Sequence, residues 1–266
     1  MSDTRPVQFL SPEEIATRQA ADPSFIRHAD ARSVFRDREL RLRRLAAGHA
    51  MRDYLIFMAD VAAAQHAVLQ QERPLELPEP AFLREATELG LPPLEPTHWR
   101  RSAIWREDLR DIVQTLQQRL QPGPTRDVVD GLARADAEHV ERQADRLLTG
   151  VMLGLDLGTA PLIGAALQVH WMRLTASIRA RDGDQVFGLV DNMRACPCCG
   201  SQPVASVSRI GGDNSGTRYL QCSLCQAQWH MVRIKCSHCE STKGIHYESL
   251  AALPGHAPPA TGAARD

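Results

Sequence analysis

Outside residues 196–239 the sequence has no cysteine, and inside that window it has seven. A disulfide framework spread along the chain is thereby excluded. Lysine is almost as scarce, confined to Lys235 and Lys243, so arginine carries nearly all the positive charge. With 31 basic residues against 32 acidic ones, the balance offers neither the electrostatic footprint of a nucleic-acid binder nor an acidic tail. The opening residues, MSDTRPVQFLSPEEIA, contain no apolar core of signal-peptide length and no twin-arginine signal. The expectation is a cytoplasmic protein, since a reducing compartment keeps thiols available as metal ligands.

Motifs of common catalysts are also missing. There is no P-loop pattern, no GxGxxG after a strand, no HExxH and no GxSxG. Gly211, Gly212 and Gly216 mimic a phosphate loop in composition, but no helix follows them, and they read as hairpin-turn residues. Residues 151–169, VMLGLDLGTAPLIGAALQV, have the length of a bilayer span. Asp156 near the middle, Pro161 and three glycines argue instead for a loop followed by a buried helix, from Pro161 to about Ile178 with Thr159 as its cap.

What is present describes a folded chain. Its 266 residues are 43% apolar, enough for one large domain or two unequal ones. Residues 1–30 read as an extended arm. A charged helix is expected from Ala31 to Ala47, stopped by Gly48. A second runs from Met51 to Gln71 with Tyr54, Leu55, Met58, Val61, Gln65, Val68 and Leu69 on one face, read as core. Six prolines between 73 and 98 leave room only for a short helix in PAFLREATEL. Trp105, Leu109, Ile112, Leu116 and Leu120 mark the next helix, and PGPT separates it from one expected over 126–149, ended by Gly150. His170 and Trp171 fall on the helix after Pro161, and His170 is expected to be a hydrogen-bonded core or groove histidine rather than a catalytic one.

The cysteines carry the chemistry. Six of the seven form Cys-x-x-Cys pairs: Cys196 with Cys199, Cys222 with Cys225, and Cys236 with Cys239. That spacing lets two thiolates on one tight turn reach the same metal ion, and three pairs in succession make a strong metal signal. Between the first two pairs lie PVASVSRI, GGDNSG and TRYLQ, which read as strand, turn and strand. An antiparallel hairpin brings both pairs to its open end, where they can close one four-thiolate site of zinc-ribbon or rubredoxin type. A third strand, from Gln228 to Ile234, carries Cys236 and Cys239 away from that site. Cys198 is expected to be a bystander in its turn. Only the first turn has glycine, Gly200, after its second cysteine; Gln226 and Glu240 occupy the equivalent places, which loosens a strict rubredoxin analogy.

CPCCGSQPVAS and RYLQCSLCQAQWHMVRIKCSHCES, together with HAMRDYLIFMADVAAAQ and GTAPLIGAALQVHWMRL, resemble the FdhE family, the formate dehydrogenase accessory proteins. The resemblance covers about residues 30–250. It implies a maturation factor rather than an enzyme, one that acts in the cytoplasm by binding the catalytic subunit of respiratory formate dehydrogenase before export. It also implies four Cys-x-x-Cys pairs in two rubredoxin-like sites, whereas this sequence has three pairs and then ALPGHAPPATGAARD. The expectation is a chain with one complete site. His238, His246 and His256 are alternative ligands for the unmated pair.

The resulting expectation is an α+β protein: an arm (1–30), a helical domain (31–190), a small zinc-ribbon or rubredoxin-like β metal domain (191–250) and a disordered tail (251–266). The metal candidates are Cys196, Cys199, Cys222, Cys225, Cys236 and Cys239. Iron is the expected ion, and zinc fits the same soft donor set. The competing class is a stand-alone zinc-ribbon module that binds nucleic acid or protein, which for nucleic acid requires a basic or aromatic stripe on the ribbon; Arg209, Arg218, Arg233, Lys235 and Lys243 are present but diluted. A dithiol oxidoreductase requires a βαβ context that the sequence does not show.

Overall fold

A computed structural model describes residues 24–97, 99, 101–208 and 217–244. The hairpin glycines 211, 212 and 216, His246, His256 and the expected tail lie outside the described residues. The architecture is α+β. Among the described residues seven α-helices, α1 (Val34–Ala46), α2 (Arg52–Leu69), α3 (Pro80–Glu88), α4 (Ile104–Arg119), α5 (Pro124–Arg134), α6 (Ala137–Thr149) and α7 (Ala160–Asp182), precede most of a four-stranded sheet. Its strands are β1 (Ile26–Arg27), β2 (Pro203–Ser208), β3 (Arg218–Cys222) and β4 (Gln228–His230).

The helix α7 is the hub of the bundle. Leu162, Ile163, Leu167, Trp171, Leu174 and Ile178 are buried along it, and it packs against α2, α4 and α6. It has buried residues nearly all round, as expected for a central helix. Thr159 precedes it as expected, but its hydroxyl turns to Asp156 Oδ2 at 2.8 Å rather than to a backbone amide. Arg173 on α7 donates to Asp108 of α4 at 2.7 Å and to the Val68 carbonyl of α2 at 2.9 Å, and Arg73 Nε lies 3.1 Å from the other oxygen of Asp108. A buried carboxylate held between two guanidiniums ties three helices at one point.

The helix expected over 126–149 is two helices. Ala135 is extended, and Asp136 accepts from the His139 amide at 2.7 Å, so its side chain caps a new helix where no glycine or proline marks a break. The apolar face expected on α2 is core only in its second half. Val61, Gln65, Val68 and Leu69 are buried, Met58 is half-buried and Tyr54 is exposed. His170 is fully buried, yet neither ring nitrogen has a hydrogen-bond partner among the described residues. It stacks edge-on against Trp171, with ring centroids 5.3 Å apart. No described helix is long and apolar enough to cross a membrane.

Sheet order is β1-β4-β3-β2, with every pair antiparallel. Ile26 lies opposite Trp229, which in turn lies opposite Leu220. Ile26 and Arg27, at the end of the expected arm, are therefore an edge strand of the sheet, fixed also by the Tyr219 hydroxyl donating to the Ser24 carbonyl at 2.9 Å; residues 1–23 of the arm lie outside the described residues. A single hydrophobic cluster runs from Phe35 through α7 to Cys196, Leu220, Trp229 and Met231. Sheet and helices share it.

Candidate metal centre

Each Cys-x-x-Cys pair is held on the same backbone turn, here called a knuckle. In the first, the Cys196 amide donates to the Ser201 carbonyl at 2.9 Å and the Gly200 amide to the Cys196 carbonyl at 2.8 Å. In the second, the Cys222 amide donates to the Ala227 carbonyl at 2.8 Å. The third repeats the first: Cys236 to Ser241 at 2.9 Å and Glu240 to Cys236 at 2.9 Å. All three need a left-handed residue after the second cysteine. Gly200 has φ +70°, Gln226 +62° and Glu240 +59°, the last two being the only non-glycine positive φ values among the described residues. The two absent glycines therefore do not loosen the turn; backbone strain of about 1 kcal/mol is accepted at each instead.

The antiparallel pairing of β2 with β3 sets the first two knuckles face to face, as the strand reading anticipates. Cys196 Sγ lies 3.5 Å from Cys225 Sγ, and Cys199 Sγ lies 3.5 Å from Cys222 Sγ. All four sulfurs lie within 4.8 Å of one another and are buried. They are free thiols. Four thiolates about 2.3 Å from a tetrahedral ion stand roughly 3.8 Å apart, so the observed edges fit one metal ion. The Leu224 amide points at Cys222 Sγ from 3.3 Å, a donor suited to a thiolate.

Electrostatics agrees with the geometry. Burial alone pushes the Cys196 thiol up, but the hydrogen bonds of the surrounding thiols outweigh it and hold Cys196 well below its ordinary range. Cys222 is pushed well up by burial and by its bond to Cys196, and Cys225 by its bonds to its neighbours and by burial. A cage in which one negative charge blocks the next requires a cation before all four thiols deprotonate together. Cys198 is fully buried beside the cage but is not one of its four ligand positions.

Cys236 and Cys239 are not part of this cluster. Cys236 is half-buried and Cys239 exposed. Their knuckle is nonetheless formed, with the His238 amide 3.4 Å from Cys236 Sγ, and Lys235 reaches across it to Glu240 at 2.9 Å.

The helical region grips both knuckles of the four-thiol cage. The Leu94 amide donates to the Cys198 carbonyl at 3.0 Å, and the Leu94 carbonyl accepts from Trp171 at 3.0 Å. Gln168 donates to the Ser223 carbonyl at 2.8 Å, and its own oxygen accepts from Gln65 at 3.0 Å and from Arg38 at 3.1 Å. Arg38 also donates to Gln226 Oε1 at 2.6 Å. The sequence offered no cue to these residues. Arg38 is one of five arginines in α1, and only the fold turns it inward.

Comparison with known proteins follows the same two regions. Residues 23–186 match the family model described as FdhE, N-terminal, and residues 195–233 match the FdhE central domain. A Klebsiella pneumoniae protein named Protein FdhE homolog is 34% identical over 249 residues, covering 92% of this chain and 77% of that protein. Protein FdhE of Salmonella arizonae is 37% identical over 219 residues, covering 82% of this chain and 69% of that protein. The crystal structure of the FdhE protein from Pseudomonas aeruginosa superimposes with a TM-score of 0.71 at 33% identity, covering 86% of this chain and 76% of that one.

Proposed function

The chain belongs to the FdhE family of formate dehydrogenase accessory proteins, and on that premise we propose that it acts in the cytoplasm by binding the catalytic subunit of respiratory formate dehydrogenase during its maturation, without being an enzyme itself. The family match over residues 23–186 carries this reading.

Within it, Cys196, Cys199, Cys222 and Cys225 hold one metal ion. Iron is the proposed ion and zinc the alternative, since both accept four thiolates in a tetrahedron. Cys236 and Cys239 are half of a second site of the same design. The division into a helical domain over 31–190 and a metal domain over 191–250 belongs to the same proposal, and the change from helices to antiparallel strands supports it. The metal's work is structural: it clamps two knuckles whose sheet is too small to be stable alone.

The nucleic-acid alternative has less behind it. Arg218 is turned onto Ser206 at 2.7 Å and the Lys235 carbonyl at 2.6 Å, and Lys235 pairs with Glu240, so these two cations of the ribbon are engaged within the protein. Capture experiments with the purified chain test the proposal. The catalytic subunit is expected to be retained at moderate salt and a generic duplex DNA is not. Retention of the DNA without the subunit would overturn it.

A further inference from the structure

A groove of about 840 Å³ opens where the helices meet the two knuckles of the metal centre. Met58, Leu147, Leu157 and Leu167 give it an apolar lining, and Ser201 and Ser223 contribute the knuckle wall. Its apolar surface continues outward onto the loop after α6, where Met152 is 64% exposed, Leu153 87% and Leu157 68%. Apolar side chains gathered this way on a surface mark an interaction site. Their spread past the cavity suits a length of polypeptide better than an enclosed small molecule.

Among the described residues one charge faces the groove: Arg38 is the only charged residue of its lining. Its guanidinium bonds to two neutral amide oxygens, of Gln168 and Gln226, and stacks 5.1 Å from the Phe35 ring centroid. Among the described residues no carboxylate pairs with it, whereas Arg43 in the same helix has both Glu39 and Asp60. Burial lowers the pKa of Arg38 and no neighbouring charge offsets this. A partly buried cation without a counter-charge is costly, and an incoming anion removes that cost. A single guanidinium, with no second cation among the described residues of the lining, matches a carboxylate monoanion rather than a phosphate dianion.

We propose that this groove is the docking site for a segment of the catalytic subunit in which one Asp or Glu side chain is flanked by large apolar side chains, the carboxylate pairing with Arg38 and the apolar residues filling the space beside Gly164 and Met58. The proposal rests on the reading that this protein binds that subunit. It also links the metal to the partner, because the metal's two knuckles form one wall of the groove.

Two variants address it differently. Arg38→Met removes the charge. Gly164→Leu fills the groove from α7: a Cβ there meets only Leu147 Cδ2, at 3.4 Å, and leaving glycine raises helix propensity. Metal content and far-UV circular dichroism of both are compared with the parent. Overlapping peptides spanning the catalytic subunit are titrated into the full chain by fluorescence anisotropy, and capture of the whole subunit is measured in parallel. An apolar peptide with one acidic residue is expected to bind and to weaken about ten-fold or more with either variant or on changing its acid to the amide. Equal capture of the subunit by parent and both variants would overturn the groove and leave the proposed function standing. Failure of the parent to capture the subunit at all would overturn the functional reading and this partner with it. A self-associated form that dissociates on Gly164→Leu would assign the groove to a second copy and overturn the proposal.

Discussion

Gln168, in the middle of α7, donates its side-chain amide to the backbone carbonyl of Ser223, inside the second cysteine knuckle, at 2.8 Å. The hub of the bundle thus holds the metal turn directly, and the oxygen of the same amide is held by Gln65 and Arg38. Mechanical coupling of this kind makes the knuckle's geometry depend on the helices.

Gln168→Ala is expected to cost about 1–3 kcal/mol, because it strands one donor each of Gln65 and Arg38 in a partly buried place and leaves the Ser223 carbonyl with only the longer bond from Gln226, at 3.3 Å. Release of metal to a chelator should accelerate in the same variant. Urea unfolding and a colorimetric chelator assay measure the two effects. Unchanged release would mean that Gln168 supports the bundle alone.

Gly200→Ala is expected to destabilise by about 1–2 kcal/mol, since φ of +70° is strained for alanine and the new Cβ would sit 3.2 Å from Glu95 Cγ. Gly48→Ala supplies the control. It has the same φ of +70° and nothing within 4 Å of its Cβ, so only the backbone cost applies. Denaturation midpoints should rank parent above Gly48→Ala above Gly200→Ala.

These contrasts also explain what a reader of the sequence can and cannot see. The pairing of Cys196 and Cys199 with Cys222 and Cys225 is legible because an antiparallel hairpin brings its two outer ends together and the run PVASVSRI before the turn alternates. Gln226 and Glu240 mislead because the turn is stabilised by hydrogen bonds, such as Cys236 to Ser241, that outweigh a residue's own backbone preference. Asp136 is missed as a helix break because its neighbours, Ala135 and Ala137, are good helix formers and only the capping side chain decides. Arg38 is invisible for a different reason: a long-range contact with Gln226, 188 residues away, gives it its place.

His170 makes stability depend on pH. Burial, with Arg173 and Arg101 nearby, lowers its pKa from 6.5 to about 3. The unfolded chain therefore takes up a proton near pH 6.5 that the folded chain refuses. Its contribution is present in full above 6.5 and is lost as pH falls from there toward 3, at about 1.4 kcal/mol per pH unit, or roughly 2 kcal/mol by pH 5. Unfolding free energies of the parent and of His170→Leu at pH 7.5, 6 and 5 isolate the effect, because other acid-sensitive groups are common to both. The parent should lose its advantage, or widen its deficit, as pH drops. Parallel curves would show that the ring is solvated in solution.

Metal content distinguishes the two kinds of cysteine pair. The described residues contain one four-thiol cluster, so the purified chain should carry about one iron or zinc. Cys222→Ser is expected to abolish it, since three thiolates and a poorly donating hydroxyl do not replace a closed site. Cys236→Ser should leave it unchanged, because Cys236 and Cys239 lie outside the cluster. Loss of the ion should also reach the helices: Cys196, Cys222 and Trp229 share one apolar cluster with Leu167 and Trp171 of α7, so the thermal midpoint of the helical signal is expected to fall in Cys222→Ser. Elemental analysis and thermal melts followed by far-UV circular dichroism measure both. A content near two that drops by half in Cys236→Ser would show a second occupied site, and an unshifted helical melt in Cys222→Ser would show that the sheet unfolds without disturbing α7.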